Sequence, residues 1–427
     1  MDAVSSKWAA SNSVRHPPLL WRPVSRAMAR AGIAGALHIR DGKDRLLAGE
    51  PEMVSPLVVV RITDPLFPLK LILHPSLAVG EAYMDGRIEL VSGSLRTFLA
   101  LGAKLRRQGE RSFARRLANR LARAFAPVNG ARRARRNARH HYDMPADFYR
   151  LFLDRRMQYS CAYFRDGTET IDEAQIAKIA HIAAKLDLAA GQSLLDIGCG
   201  WGTLSLALAD AAGVDVTGIT LAPEQCEEAR RLSSSSRAAS HSRFEIADYR
   251  EWSQQHDRIV SVGMLEHVGR ARLTAYFQQV GRLLKPDGVA LIHAIGRWDG
   301  ETGPDPWTDR YIFPGGHIPS LSEVVPAVEN SGLKLLDLEV LRLHYAYTLE
   351  QWSARFAENR NDARTLFGER FCRMWEFYLA AAETAFRDGQ LMVFQLLLAN
   401  ERDALPLTRD YVCQSEDEWT HRVASQA

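Results

Sequence analysis

The segment Leu194–Leu206, LLDIGCGWGTLSL, restricts what this chain can fold into more than any other stretch. A hydrophobic run of strand length ends at Asp196 and Ile197, glycines stand at 198, 200 and 202, and a helical pattern opens at Thr203. Glycines at a strand-to-helix turn allow a tight bend and let the backbone come close to a ligand. The spacing is not that of a dinucleotide site. Thr203 stands where the third glycine of GxGxxG would be. Nor does the next strand end in an acid to hold a ribose diol, because 218–220 reads Gly-Ile-Thr.

A pyrophosphate-bearing cofactor is therefore disfavoured, and S-adenosylmethionine, which has no pyrophosphate to cradle, fits better. Gln225, one turn into the following helix, takes the place of the missing acid at the ribose. Strands and helices alternate on either side, as in an open, mostly parallel sheet. Helices are expected at Ile171–Leu186, with Ile176, Ile179 and Ala183 on one side, at Thr203–Ala212 and at Pro223–Leu232. Strands are expected at Ser193–Ile197, Val214–Ile219, Arg258–Val262, Val289–Ile295, Leu333–Leu341 and Leu391–Ala399. Ser233–Ser236 reads as a loop, Arg297–Pro319 as an irregular lid rich in Pro, Gly and aromatics, and about Ala363–Arg387 as one long helix.

At roughly 100–200 residues per domain, 427 residues suggest two domains. Residues 1–100 read as small and mixed: Pro56–Ile62 and Lys70–His74 as β-rich runs, Leu77–Asp85 as a helix, and a helical pattern from Ser94 to Phe125. Between Lys104 and Arg139 there are thirteen Lys/Arg and one acid, Glu110. That is a net +12 in a chain whose total is +3, which leaves −9 elsewhere. Charge alone points to a polyanionic partner, nucleic acid or anionic lipid, or to a solvated linker. No apolar run approaches the ~20 residues that span a bilayer. MDAVSSKW lacks the pattern of a secretory signal. Five scattered cysteines argue against disulfides or a metal site and for a reducing cytosol.

Longer strings share one likeness: HYDMPADFY (141–149), MQYSCAYF (157–164), LLDIGCGWG, GITLAPEQ, DRIVSVGMLEHVG (257–269), LIHAIG (291–296), DPWTDRYIFPGG (305–316) and HYAYTLEQW (344–352). In that order and spacing they resemble the cyclopropane-fatty-acyl-phospholipid synthases and their mycolic-acid relatives. GEAYMDG (80–86) resembles the extra N-terminal domain of the phospholipid-acting members. The resemblance implies an α/β, Rossmann-like class I methyltransferase sheet with helical lid elements, preceded by a smaller mixed α+β domain. It suggests a lipid-binding accessory domain over 1–125, a basic linker over 126–140, a catalytic domain over 141–405 and a C-terminal tail over 406–427.

The implied reaction is methylene transfer from S-adenosylmethionine to a cis double bond of a phospholipid acyl chain, with bound bicarbonate as the base. Glu266, His293 and Tyr345 would hold the bicarbonate, with Cys161 and Ile295 giving mainly backbone groups. Tyr159, Ser160, Asp196, Gly198, Gly200, Gly202, Thr220, Leu221, Gln225, Tyr249 and Arg250 would serve the cofactor. Tyr142 and Phe313, with Tyr345, would line the substrate pocket and face the cation. A nucleophilic Cys161 is rejected for want of a base in its own motif, and His267 reads as structural. The expected partner is unsaturated phospholipid in an anionic bilayer, visited transiently from the cytoplasm at the inner face, and a homodimer is allowed. A nucleic-acid methyltransferase is disfavoured, because MLEHVG stands where a base-reading Asn-Pro-Pro-Tyr motif would follow the fourth strand. A lipid-transfer protein is disfavoured by the presence of Glu266, His293 and Tyr345. Methyl- or methylene-branching through the same cation is the alternative product.

Overall fold

The computed structural model describes residues 17–50, 55–110, 144–300 and 305–426. The basic stretch from residue 111 onward, the expected linker and Tyr142 lie outside these residues. The chain divides into two compact units. One comprises Met1–Phe125, Asp305–Trp307 and Arg360–Gly389; the other comprises Ala126–Pro304, Thr308–Asn359 and Gln390–Ala427.

In the first unit, strands β1 (Leu37–Arg40), β2 (Leu46–Ala48), β3 (Val58–Ile62) and β4 (Ile88–Ser92) form a sheet of order β2-β1-β3-β4. The central pair is parallel and the outer pairs are antiparallel. Trp21, Met28, Ile33, Val58, Val60, Phe67 and Ile88 make its core. Gly80 of GEAYMDG lies against Trp307, where a Cβ would sit 2.3 Å from the indole ring, so only glycine fits that helix face.

Two expectations fail in this unit. Lys70–His74 is not a strand; the chain forms a helix over Phe67–Leu73. Pro68 sits in the first turn, where its missing N–H has no partner to lose. The apolar run that follows has no period-2 alternation to favour a strand. The long helix near the C-terminus is two helices, Arg360–Phe367 and Glu369–Arg387. Gly368, at φ 81°, breaks them in the left-handed region that a longer side chain resists.

The second unit is built on seven strands: β5 (Ser193–Ile197), β6 (Asp215–Thr220), β7 (Ser242–Ile246), β8 (His256–Val262), β9 (Leu284–Arg297), β10 (Lys334–Leu341) and β11 (Leu391–Ala399). Their order is β10-β11-β9-β8-β5-β6-β7. From β9 to β7 neighbours run parallel, and β11 is antiparallel to β9 and β10. This is the open, mostly parallel, Rossmann-like sheet that the resemblance implies. From β5 the chain winds outward through β6 and β7, then returns to start β8 on the other side. The carboxyl ends of β5 and β8 therefore flank a topological switch point, where open α/β sheets bind ligands.

The helix Ile171–Lys185 starts on a capping box, Thr170 with Glu173. It is buried on nearly every side rather than along one stripe, and Gln175, Lys178, His181 and Lys185 are buried with it. One cover is Asp410–Ala424, a helix in the segment expected as a tail, which packs on Ile171–Lys185 and buries Val412, Trp419 and Val423. Ser233 and Ser234 end the helix Pro223–Ser234 instead of opening a loop. The lid segment contains a short helix, Pro306–Tyr311.

Candidate active site

β5 delivers its last residues into a loop where Gly198, Gly200 and Gly202 all have positive φ, at 85°, 54° and 75°. The loop floors a cleft whose walls come from the ends of β6 and β8, the 247–250 turn and the segment 157–160. Of the eleven residues expected to serve a cofactor, ten line this one cleft; Gly202 does not. A Cβ on Gly202 would lie 2.7 Å from Ala229 and from the Phe244 ring, so this glycine lets the loop pack on its own core. A Cβ on Gly200 meets nothing within 4 Å.

Asp196 is buried and accepts a 2.6 Å hydrogen bond from Ser205 Oγ. Burial pushes its carboxyl up to about 6, although Ser205 and the Lys178 charge pull the other way. Thr220 Oγ1 donates to Gln225 Oε1 at 3.4 Å, which leaves the amide NH2 of Gln225 as its donor. Tyr249 packs edge-on to Tyr276 at 5.4 Å, and the Arg250 guanidinium lies 5.8 Å from the Tyr249 ring. Arg250 is itself held by Asp248 through a 2.8 Å bond. Asp248, Trp201, Met264 and His267 also line the cleft. Of these, His267 was expected to be structural; Trp201 and Met264 stand in the glycine and Glu266 motifs without having been singled out, and Asp248 was not singled out either.

The five residues expected around the base do not line this cleft. They stand beside it: Cys161 follows Tyr159 and Ser160, and Glu266 lies between Met264 and His267. Glu266 follows β8 and reaches the end of β9, where the Ile295 N–H donates to its Oε1 at 2.6 Å. Ile295 was expected to offer its backbone to a ligand, but its N–H is already engaged by Glu266. The other carboxylate oxygen, Oε2, is buried with no hydrogen-bond partner among the described residues. Burial holds the Glu266 carboxyl up at about 7.

His293, paired across the sheet with Gln395, is buried and held down at about 3 by desolvation and then by the Lys178 charge. Gln395 Nε2 donates to His293 Nδ1 at 3.2 Å, so the neutral ring carries its proton on Nε2. Cys161 is buried, its thiol pushed far up by desolvation, which agrees with rejecting it as a nucleophile. The neighbouring Ala162 N–H donates to Thr348 Oγ1 at 3.0 Å, tying this segment to the helix His344–Glu358 that carries Tyr345. Trp352 of the same helix stacks on Tyr159 at 5.3 Å and meets Tyr345 edge-on at 5.9 Å. Phe313 faces His267 at 6.4 Å, and the His317 N–H donates to the Glu266 carbonyl at 2.9 Å, which fastens the lid to the Glu266 turn.

A carboxyl held above its unfolded value costs stability once the unfolded chain ionises. Below pH about 4.5 both states keep the Glu266 proton. Between about 4.5 and about 7 only the folded state keeps it, so stability falls as pH rises, and the cost is constant above that window. Glu266→Gln removes the term. The difference in melting temperature, variant minus wild type, is expected to grow from pH 4.5 to pH 7 and then level off. A difference independent of pH in thermal melts would contradict the burial of an uncompensated carboxyl.

A family model described as mycolic acid cyclopropane synthetase matches residues 129–396. The chain belongs to this family. It is 36% identical to the cyclopropane-fatty-acyl-phospholipid synthase of Escherichia coli (strain K12), over 80% of this chain and 87% of that protein. It is 35% identical to a probable fatty acid methyltransferase of Pseudomonas putida, over 83% and 91%. It is 33% identical to a tuberculostearic acid methyltransferase of Mycobacterium tuberculosis, over 93% and 96%. A solved mycolic acid cyclopropane synthase complexed with SAH and CTAB covers 62% of this chain and 97% of its own, at 35% identity and TM-score 0.59. Like its relatives, this synthetase-family chain is an S-adenosylmethionine-dependent methyltransferase.

Proposed function

We propose that this enzyme adds a one-carbon unit from S-adenosylmethionine to a cis double bond of an unsaturated phospholipid acyl chain and closes a cyclopropane ring. The observation that carries the reading is the buried, unpartnered Oε2 of Glu266, at the strand ends beside the glycine cleft. The cofactor supplies an electrophilic methyl group on a sulfonium. An alkene is a weak nucleophile, so the chain's contribution is to hold the two in line, with the Tyr159, Trp352 and Tyr345 rings keeping water out. The alkene π pair bonds the methyl carbon as the C–S pair leaves with sulfur. The resulting cation on the acyl chain then loses a proton from the new methyl, and that C–H pair closes the ring.

Of the side chains expected around the base, Glu266 is held up at about 7 by burial, the Nδ1 of His293 is engaged by Gln395, and burial pushes the Cys161 thiol far up. This set fits an acceptor-rich anion such as bicarbonate, which supplies a small base. Glu266, His293 Nε2–H and Tyr345 would hold it, with the backbone at Cys161 beside it and the Ile295 N–H fixing the Glu266 carboxyl. Phe313 and Tyr142 remain the candidates for the acyl pocket.

Methyl- or methylene-branching is the second reading, favoured by the two fatty acid methyltransferases among the relatives. Incubation with unsaturated phosphatidylglycerol vesicles and labelled S-adenosylmethionine, followed by analysis of the released fatty acids, decides between them. A cyclopropane product has gained CH2 and keeps no C=C, its two vinylic hydrogens having become ring hydrogens, whereas a methylene-branched product of the same mass keeps a C=C and a methyl-branched one has gained two further hydrogens. An unlabelled acyl fraction would rule out both readings.

The substrate lies in a bilayer, and no helix among the described residues is long and apolar enough to cross one. We place this enzyme at the inner membrane face as a transient visitor, with residues 1–125 as its lipid-binding part. The first unit carries an exposed apolar tip made of Leu19 and Leu20 with Leu66, Leu69, Ile72 and Leu73. Trp21 and Phe67, stacked at 6.3 Å, hold its two segments together. The adjoining helix Arg22–Arg30 carries exposed Arg22, Arg26 and Arg30 and no acid. An apolar tip beside arginines that have no ion pair among the described residues suits an anionic lipid surface. The basic 104–139 stretch adds to that charge. Changing Ile72 and Leu73 to Asp is expected to weaken sedimentation with phosphatidylglycerol vesicles by about tenfold or more, and salt should weaken the wild type. Equal sedimentation of variant and wild type would exclude this surface.

A further inference from the structure

Lys178 is fully buried in the middle of the helix Ile171–Lys185, and nothing in the reaction outlined above uses it. A lysine ammonium has three donors and no acceptor, so every group it touches must accept. Its Nζ donates to Gln158 Oε1 and, at 3.0 Å, to Ser160 Oγ. Accepting at Oε1 orients the Gln158 amide, whose Nε2 then donates to Thr203 Oγ1 at 2.6 Å. Two chains thus run outward from one cation, Lys178 to Ser160 and Lys178 to Gln158 to Thr203. Each ends on a hydroxyl that has used its oxygen as acceptor and keeps its proton to donate. Among the described residues neither proton has a recorded acceptor, and both Ser160 and Thr203 line the cleft. Thr203 also opens the helix Thr203–Ala212, whose first backbone N–H groups add positive potential on that side. The acids facing Lys178, Asp154 and Asp196, are committed elsewhere: Asp154 to the backbone N–H groups of Arg156 and Gln158, Asp196 to Ser205.

We propose that Lys178 is a positioning residue that fixes the direction of both hydrogen-bond chains, so that Ser160 and Thr203 present donors to the carboxylate of the cofactor's methionyl part. The proposal rests on the reading of the cleft as the cofactor site. It explains a buried ammonium whose close partners are neutral. The charge polarises two relays toward an anion that arrives only with the cofactor.

The test compares binding of S-adenosylmethionine with that of its decarboxylated form, which lacks only the carboxylate, by calorimetry. Lys178→Met is expected to weaken S-adenosylmethionine by about tenfold or more and to leave the decarboxylated form within about twofold, erasing the preference of the wild type. A lysine that merely supports the fold would lower both affinities together, and that result overturns the proposal. Because Lys178→Met leaves two acceptors buried, the double variant Ser160→Ala, Thr203→Val carries the same comparison with the cation in place. It too should lose the preference, and an unchanged preference there also overturns the proposal. Gln225→Ala separates the underlying reading: it should weaken both ligands equally. If it weakens neither, the nucleoside is bound elsewhere and the assignment of the cleft fails first.

Discussion

Glu266→Gln is expected to lower turnover on unsaturated phospholipid by about 10²–10⁴-fold while S-adenosylmethionine binds as before. The carboxyl lies beside the glycine cleft rather than in it, so removing its ionisable proton leaves the walls of that cleft untouched. Gln keeps an acceptor for the Ile295 N–H, which preserves the turn between β8 and β9. What it loses is a carboxyl held at about 7 with one oxygen free to meet a ligand. Glu266→Ala should be at least as slow and less stable, because the Ile295 N–H then has no partner. The measurement is single-turnover transfer of label to lipid, alongside calorimetric cofactor binding, with and without added bicarbonate. Turnover near that of the wild type in Glu266→Gln would remove this residue from the reaction.

Gly200→Leu is expected to abolish measurable cofactor binding in a protein that still folds. The backbone there is left-handed at φ 54°, which costs a substituted residue about 1–2 kcal/mol. A protein of this size tolerates that loss. A Cβ at this position meets no protein atom within 4 Å, so the added side chain is free to occupy the space above the loop. Gly202→Leu offers the contrast. Its Cβ would press on Ala229 and Phe244 at 2.7 Å, so that variant should lose stability first and cofactor affinity only as a consequence. Thermal melts and calorimetry on both variants separate the cases. Unchanged affinity in a folded Gly200→Leu would reduce the loop to a turn.

The glycine loop, the strand before it and the helix after it were legible in the sequence because they are one continuous segment. A buried apolar run, positive-φ glycines and a helix start are local signals. The same holds for six of the seven strands of the second unit, whose apolar runs had turn residues at both ends; β7, with only Phe244 buried, was not read as a strand. Ten of the residues expected to serve a cofactor stand in short motifs at strand ends and line one cleft. Signals that depend on a distant neighbour were misread or missed. The helix Phe67–Leu73 looked like a strand because half of its apolar side chains face outward, which no local pattern announces. The supposed tail is a helix because Ile171–Lys185 offers it an apolar face more than 200 residues away in sequence.

Gly202 carries the same motif as Gly200, yet Phe244 on β7 decides that it serves packing. Nothing in the sequence singled out Lys178. Only the tertiary structure buries it and turns two of its three donors toward Gln158 and Ser160. The sequence by itself determined the chemistry within reach, since glycines, a carboxyl and a histidine at strand ends are local choices. The tertiary structure alone decided the electrostatics, because desolvation and hydrogen-bond direction depend on what packs over a group, and that cover comes from remote parts of the chain.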